Sequence, residues 1–183
     1  HFLYLEDISY EMEHILSCRD DINILVAHNI AFDLHYVLTA ADEEGVDAMV
    51  DWLYNNAIWD TMLAEYLLSG QRSNTARKGA LSLDAVAIKY GGTVKDSRMK
   101  EYWDAGVCTT EIPEEEILPY LEGDVANLAI IYDGQMKEAE RLGMLPLIQS
   151  QMRARLTTLL MEFNGMYFDL KECHKQTVDL MEQ

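Results

Sequence analysis

Long apolar runs, an even cysteine set and positive charge are what this sequence is short of. No stretch approaches the ~20 consecutive apolar residues of a membrane-spanning helix, and the first residues carry no signal-peptide pattern. No membrane partner is therefore expected. The three cysteines, Cys18, Cys108 and Cys173, are odd in number and scattered. They match neither a disulfide framework nor zinc-ligand spacing, which predicts a reducing, intracellular, cytoplasmic setting. Lys and Arg number 14 against 32 Asp and Glu, a net charge of −18. That balance argues against unaided phosphate binding, which rests on basic side chains. Two features soften it. Clustered carboxylates can serve cations, and bound cations reverse the local field. Half of the basic residues, Arg72, Arg77, Lys78, Lys89, Lys95, Arg98 and Lys100, also fall between positions 72 and 100.

What is present is an ordinary globular composition, 49% apolar and 25% charged over 183 residues. That suffices for one well-buried domain, or for one domain and a piece of another. The chain is organised around Asp21–Tyr36, DINILVAHNIAFDLHY. Ile22–Ala27 is a short β-branched run bounded by acids and by His28-Asn29, which predicts a buried strand. Ala31–Ala40 takes helical spacing through Leu34, Val37 and Leu38. Asp33 then falls on the first turn of a helix beyond the carboxyl end of a strand, the edge where open α/β sheets bind ligands. As a bare residue, Asp33 also suits the positive end of the helix dipole.

Around this stretch the pattern predicts a strand end at Phe2–Leu5, a helix over Ile8–Ser17, and an Asp33 helix stopping near Glu43–Gly45. A short helix over Val46–Tyr54 follows. Ala57–Trp59 reads as a strand, with Asp60-Thr61 capping a helix to Ser69. Gly70–Gly79 is a polar loop and Leu81–Tyr90 a helix stopped by Gly91-Gly92. A weaker helical segment covers Lys95–Trp103. Pro113 and Glu114–Glu116 start a helix that Pro119 breaks or kinks. A long helix follows to Leu142-Gly143, where a domain boundary is placed. Leu145–Phe163 is helical, Met166–Phe168 a short strand, and Asp169 caps a last helix to Gln183. Tyr120 and Asp124, four apart on the long helix, share a face.

Asn29-x-x-Phe-Asp33 and Tyr120-x-x-x-Asp124, in that order, resemble the second and third motifs of the DnaQ-like (DEDD) 3′→5′ exonucleases, tyrosine subtype. Ile24–Asp33, Trp59–Leu68, Leu81–Tyr90 and Pro119–Val125 together look like the proofreading domain of a family A, DNA polymerase I-like, DNA polymerase. Met161–Asp169 resembles the lead-in to the polymerase domain of that family. The resemblance implies an α/β, ribonuclease H-like fold over residues 1–143 that lacks its first strands. The start of a mostly helical polymerase region would occupy 144–183. It implies two-metal phosphodiester hydrolysis with Mg²⁺ or Mn²⁺, Asp33 and Asp124 as metal ligands and Tyr120 orienting the attacking water. It implies Asn29 beside the site, with Arg72, Arg77 and Lys78 available to contact a single-stranded DNA 3′ end. The remaining partner would be the rest of the polymerase chain, in a bacterial or phage-infected cell.

The family's opening Asp-x-Glu is not found ahead of Asp33; Asp42-Glu43-Glu44 fits the string but follows the Asp33 helix. The chain starts at His1, and the expectation is a piece that begins after the first strands. The alternatives are an inactivated exonuclease fold kept as a DNA-positioning module, a ribonuclease D-like RNA exonuclease, and an acidic protein-interaction domain. Within the resemblance His28 reads as a turn residue, Asp60 as a helix cap, and the methionines as packing.

Overall fold

A computed structural model describes residues 24–70, 79–93 and 98–181. The strand end predicted at Phe2–Leu5, the helix predicted at Ile8–Ser17 and the bases Arg72, Arg77, Lys78 and Lys95 lie outside the described residues.

Two short strands, β1 (Ile24–Ala27) and β2 (Ala57–Asp60), pair in parallel with Ile24 opposite Ala57 and Ala27 opposite Asp60. Parallel strands require a long crossover. Here two helices supply it, α1 (Ile30–Ala40) and α2 (Glu43–Asn55). β2 runs straight into α3 (Thr61–Leu68). Then follow α4 (Leu83–Tyr90), α5 (Arg98–Asp104), a 3₁₀ turn at Thr109–Glu111, α6 (Glu114–Leu142), α7 (Leu145–Asn164) and α8 (Leu170–Met181). The described architecture is mixed α/β and mostly helical.

The core follows from helical spacing. α1 turns Ile30, Leu34 and Leu38 inward, α2 turns Met49, Trp52 and Leu53, and α7 turns Ile148, Met152, Leu156 and Leu159. All join one cluster with Ile58 and Trp59 of β2. α6 buries the stripe Asn127, Ile131, Gln135 and Ala139, each four residues on from the last. Its polar members are satisfied: Gln135 Oε1 accepts from Trp59 Nε1 at 2.9 Å, and its amide donates to the Thr61 carbonyl at 2.8 Å.

A second polar knot locks α4 to α3 and α6. The Tyr90 hydroxyl lies 2.6 Å from Glu138 Oε2 and 3.0 Å from Glu65 Oε2, while Lys89 Nζ reaches the same two carboxylates at 3.1 and 3.0 Å. The close approach needs Gly134, because a Cβ there would stand 2.3 Å from the Tyr90 ring.

Several expectations need correction. α1 stops at Ala40, and Asp42 caps α2 by accepting from the Gly45 amide at 2.9 Å. Glu43–Gly45 are therefore the first turn of α2 and not the end of α1. β1 is half-buried along its length and not fully buried. Pro119 neither breaks α6 nor ends it. Met166–Phe168 forms no strand, and Met166 and Tyr167 are 95% and 92% exposed. A strand needs a partner to satisfy its backbone, and none lies alongside among the described residues. Gly143 does close α6, at φ 66, yet α7 beyond it fills the same core as α1 and β2.

Candidate active site

The carboxyl ends of β1 and β2 stand side by side and each leads into a helix. His28 and Thr61 therefore leave the sheet together. His28 Nε2 lies 2.8 Å from the Leu81 carbonyl, which can only accept, so that nitrogen carries a proton. Its Nδ1 lies 2.9 Å from the Thr61 hydroxyl. The imidazole thus ties the end of β1 to the start of α3 and to the turn before α4, in keeping with a turn role.

Asn29 follows with φ 61 and ψ 53, and it is the one non-glycine at positive φ among the described residues. Asn tolerates this left-handed conformation better than most residues. Two contacts hold it there. Its backbone N–H donates to Asp60 Oδ1 at 3.0 Å, and its side-chain oxygen accepts from Arg155 Nη2 at 3.2 Å. The turn sets the start of α1, on whose first turn Asp33 lies, as expected.

Asp60 is fully buried. Its Oδ1 also caps α3, accepting from the amides of Met62 at 3.0 Å and Leu63 at 3.3 Å. Its Oδ2 is buried with no hydrogen-bond partner, and Arg155 Nε stands 3.9 Å away. A buried carboxylate needs such compensation. Asp33 is exposed as a residue, yet packing around its carboxyl raises it above the ordinary value of 3.8. A backbone hydrogen bond opposes the rise and the charge of Asp60 adds to it. Asp33 thus senses the charge of Asp60 at this edge of the sheet.

Tyr120 and Asp124 are half-buried on α6, one turn apart. α5 packs over this part of the helix: the Trp103 and Tyr120 rings meet edge-on with centroids 5.8 Å apart, and the Tyr102 hydroxyl donates to Glu116 at 3.1 Å.

The structure therefore brings Asn29, Asp33, Asp60 and Arg155 into one constellation. Among the described residues, no three His, Cys, Asp or Glu side chains are grouped so as to hold a metal ion. Asp33 and Asp124 are not gathered with a third donor, so the described residues do not by themselves form a Mg²⁺ or Mn²⁺ site, which takes several oxygen ligands. Arg155 was not anticipated from the sequence. It lies 126 positions after Asn29 on an otherwise regular amphipathic helix, where no local pattern marks it. Asp60 was read as a cap, but its bond to the Asn29 turn was not.

No described helix is long and apolar enough to cross a membrane. No curated protein and no solved structure matches the chain. Residues 9–140 match the family described as 3′-5′ exonuclease, a span that takes in the Asn29–Asp33 turn, the Asp60 cap and the Tyr120–Asp124 pair. That span is more than half of the chain, and the chain belongs to this 3′-5′ exonuclease family, of the kind associated with family A DNA polymerases.

Proposed function

We propose that this chain is the proofreading exonuclease region of a DNA-directed DNA polymerase, removing nucleotides from a single-stranded DNA 3′ end. The supporting observation is the constrained Asn29 turn, which sets Asp33 at the carboxyl edge of the parallel sheet within the matched span. An edge carboxylate with neighbouring backbone N–H groups is suited to phosphodiester chemistry, which depends on positioning and charge more than on covalent help. Exonucleases of this family generally use divalent metals. Divalent metal would be held by Asp33 and Asp124, with Tyr120 holding the attacking water. The described residues do not by themselves complete a cation site. Asn29, Arg72, Arg77 and Lys78 would contact the strand.

The same reading gives residues 144–183 to the start of the polymerase region, with α7 shared by both parts. The exposed Met166, Tyr167 and Phe168 would then be covered by the rest of that chain. The fold would be ribonuclease H-like.

The test uses the full protein and 5′-labelled single-stranded DNA, with and without Mg²⁺ or Mn²⁺. Stepwise shortening from the 3′ end is expected, and Asp33→Asn and Asp124→Ala should each slow it by ~100-fold or more. Variants that digest at the parent rate would sink the assignment, and preference for structured RNA would redirect it to an RNA exonuclease. The second reading is an inactive DNA-positioning module, favoured by the lack of a three-donor cluster among the described residues. It expects primer-template binding without shortening under any divalent metal.

A further inference from the structure

We infer that Arg155 is a positioning residue for Asp33, through which α7, lying outside the matched span, governs the geometry of the exonuclease edge. The consequence for catalysis rests on the exonuclease reading; the structural linkage does not.

One guanidinium reaches two elements of the site. Its Nη2 donates to Asn29 Oδ1 at 3.2 Å, and its Nε stands 3.9 Å from Asp60 Oδ2. The Asn29 oxygen assignment is secure on chemical grounds, since Arg has donors only. Asp60 in turn holds the Asn29 backbone N–H through its other oxygen, at 3.0 Å. Arg155, Asp60 and Asn29 form a closed loop of contacts around a left-handed turn. Asp33 leaves that turn four residues later, so rotation about Asn29 would swing its carboxyl. A second tether from the same helix meets α1 one and a half turns further on, His35 Nε2 to Glu162 Oε2 at 3.3 Å. α7 is seated by Ile148, Met152, Leu156 and Leu159 in the core, and Met152 Sδ accepts from the Asp60 backbone N–H at 3.2 Å. The strut is therefore anchored where it grips.

Arg155 carries more than charge balance. Asp60 Oδ2 is a buried oxygen with no hydrogen-bond partner, and Arg155 Nε is the ion-pair contact at that oxygen. A point charge on a flexible stem would compensate Asp60 but could not also span to Asn29, because only a planar fork presents donors in two fixed directions.

The experiment compares Arg155→Met, Arg155→Lys and Arg153→Met, the last an exposed neighbour on α7, in the full protein. Amide hydrogen exchange is read at Asn29–Asp33 against global unfolding by denaturant, and kcat and KM are measured on single-stranded DNA. Arg155→Met should speed exchange of the Asn29 amide by ~10-fold beyond any global change, since one hydrogen-bond-scale contact is lost. It should lower kcat by ~100-fold with KM within about 2-fold, the effect of a displaced group and not of lost binding. Arg155→Lys should restore global stability more than it restores kcat, and Arg153→Met should match the parent. Exchange that rises uniformly with global destabilisation, or kcat unmoved in Arg155→Met, overturns the inference. If the parent shows no nuclease activity, the exonuclease reading fails, and protection at Asn29 still decides whether Arg155 holds the turn.

Discussion

Gly134→Ala tests the seating of α6, the helix that carries Tyr120 and Asp124. An added Cβ would lie 2.3 Å from Tyr90 Cδ1 and 2.8 Å from Cγ, against ~3.5–4.0 Å for a comfortable carbon contact. The ring must move by about 1 Å or more to accept it. It is not free to do so, because its hydroxyl is held by Glu138 at 2.6 Å and Glu65 at 3.0 Å. Overpacking of this kind costs ~1–3 kcal/mol. Against it stands the ~0.5–1 kcal/mol gained by removing a glycine from a helix interior. With the ring pinned, the upper part of the range should win, for a net loss of about 2 kcal/mol. A urea titration should then show a midpoint lower by roughly 1 M at unchanged slope, given a slope of ~2 kcal/mol/M. The same change made in a Tyr90→Ala background has no ring to meet and should raise the midpoint by the helix-propensity gain. A Gly134→Ala protein as stable as the parent, or a penalty of equal size in both backgrounds, refutes the close-packing argument.

The knot around Tyr90 also predicts a pH window. Hydrogen bonding from Tyr90 and Lys89 holds Glu138 below its ordinary 4.5, so its contribution is present above 4.5 and is lost as pH falls through the lower folded value. Burial and the two carboxylates push Tyr90 far above 10, so its contribution is present below pH 10 and is lost as pH rises beyond it. Stability should be flat between those limits in this respect, and Tyr90→Phe should remove part of the alkaline loss measured by denaturant midpoints; an alkaline limb identical in both proteins contradicts the assignment. Trp59→Phe leaves buried Gln135 Oε1 without its 2.9 Å donor, at a cost of ~1–3 kcal/mol. Its Tm should fall accordingly, and a Tm equal to the parent's would contradict this.

Elements with an internal repeat were legible in the sequence, and contacts between distant elements were not. Helical spacing within a segment is visible locally, so strand and helix types from Ile24 to Met181 were largely anticipated, but the face that α6 buries, Asn127, Ile131, Gln135 and Ala139, was not, because half of it is polar. Asp60 was readable as a cap because its partners, the amides of Met62 and Leu63, are two and three residues away. Asp33 was placed correctly on the first turn of its helix for the same reason: a β-branched run, a turn and a helical period fix its position without tertiary knowledge. Where expectation failed, an isolated residue had been given more weight than its surroundings. Pro119 reads as a breaker in any window, but the 29-residue α6 runs on through it. Met166–Phe168 has strand-like residues, but strands exist in pairs, and the pairing partner is not a property of the segment.

The site divides along the same line. Asn29-x-x-Phe-Asp33 and Tyr120-x-x-x-Asp124 are short motifs, each visible within five residues, and they were enough to point to the family that residues 9–140 match. What holds the first motif in shape is not short. The left-handed Asn29 is stabilised from Asp60, 31 positions on, and from Arg155, 126 positions on. Neither distance leaves a periodicity, because the contact arises only after β1 pairs with β2 and α7 lies against α1. Asn29 illustrates the dependence in one residue. Its amide side chain suits the positive φ, which is a local preference worth little against ~1 kcal/mol or more of strain. The conformation persists because a buried carboxylate takes its N–H and a guanidinium takes its side chain. The motif therefore names the chemistry, while the supports that set its geometry are drawn from across the chain, including a helix beyond the span that carries the motif.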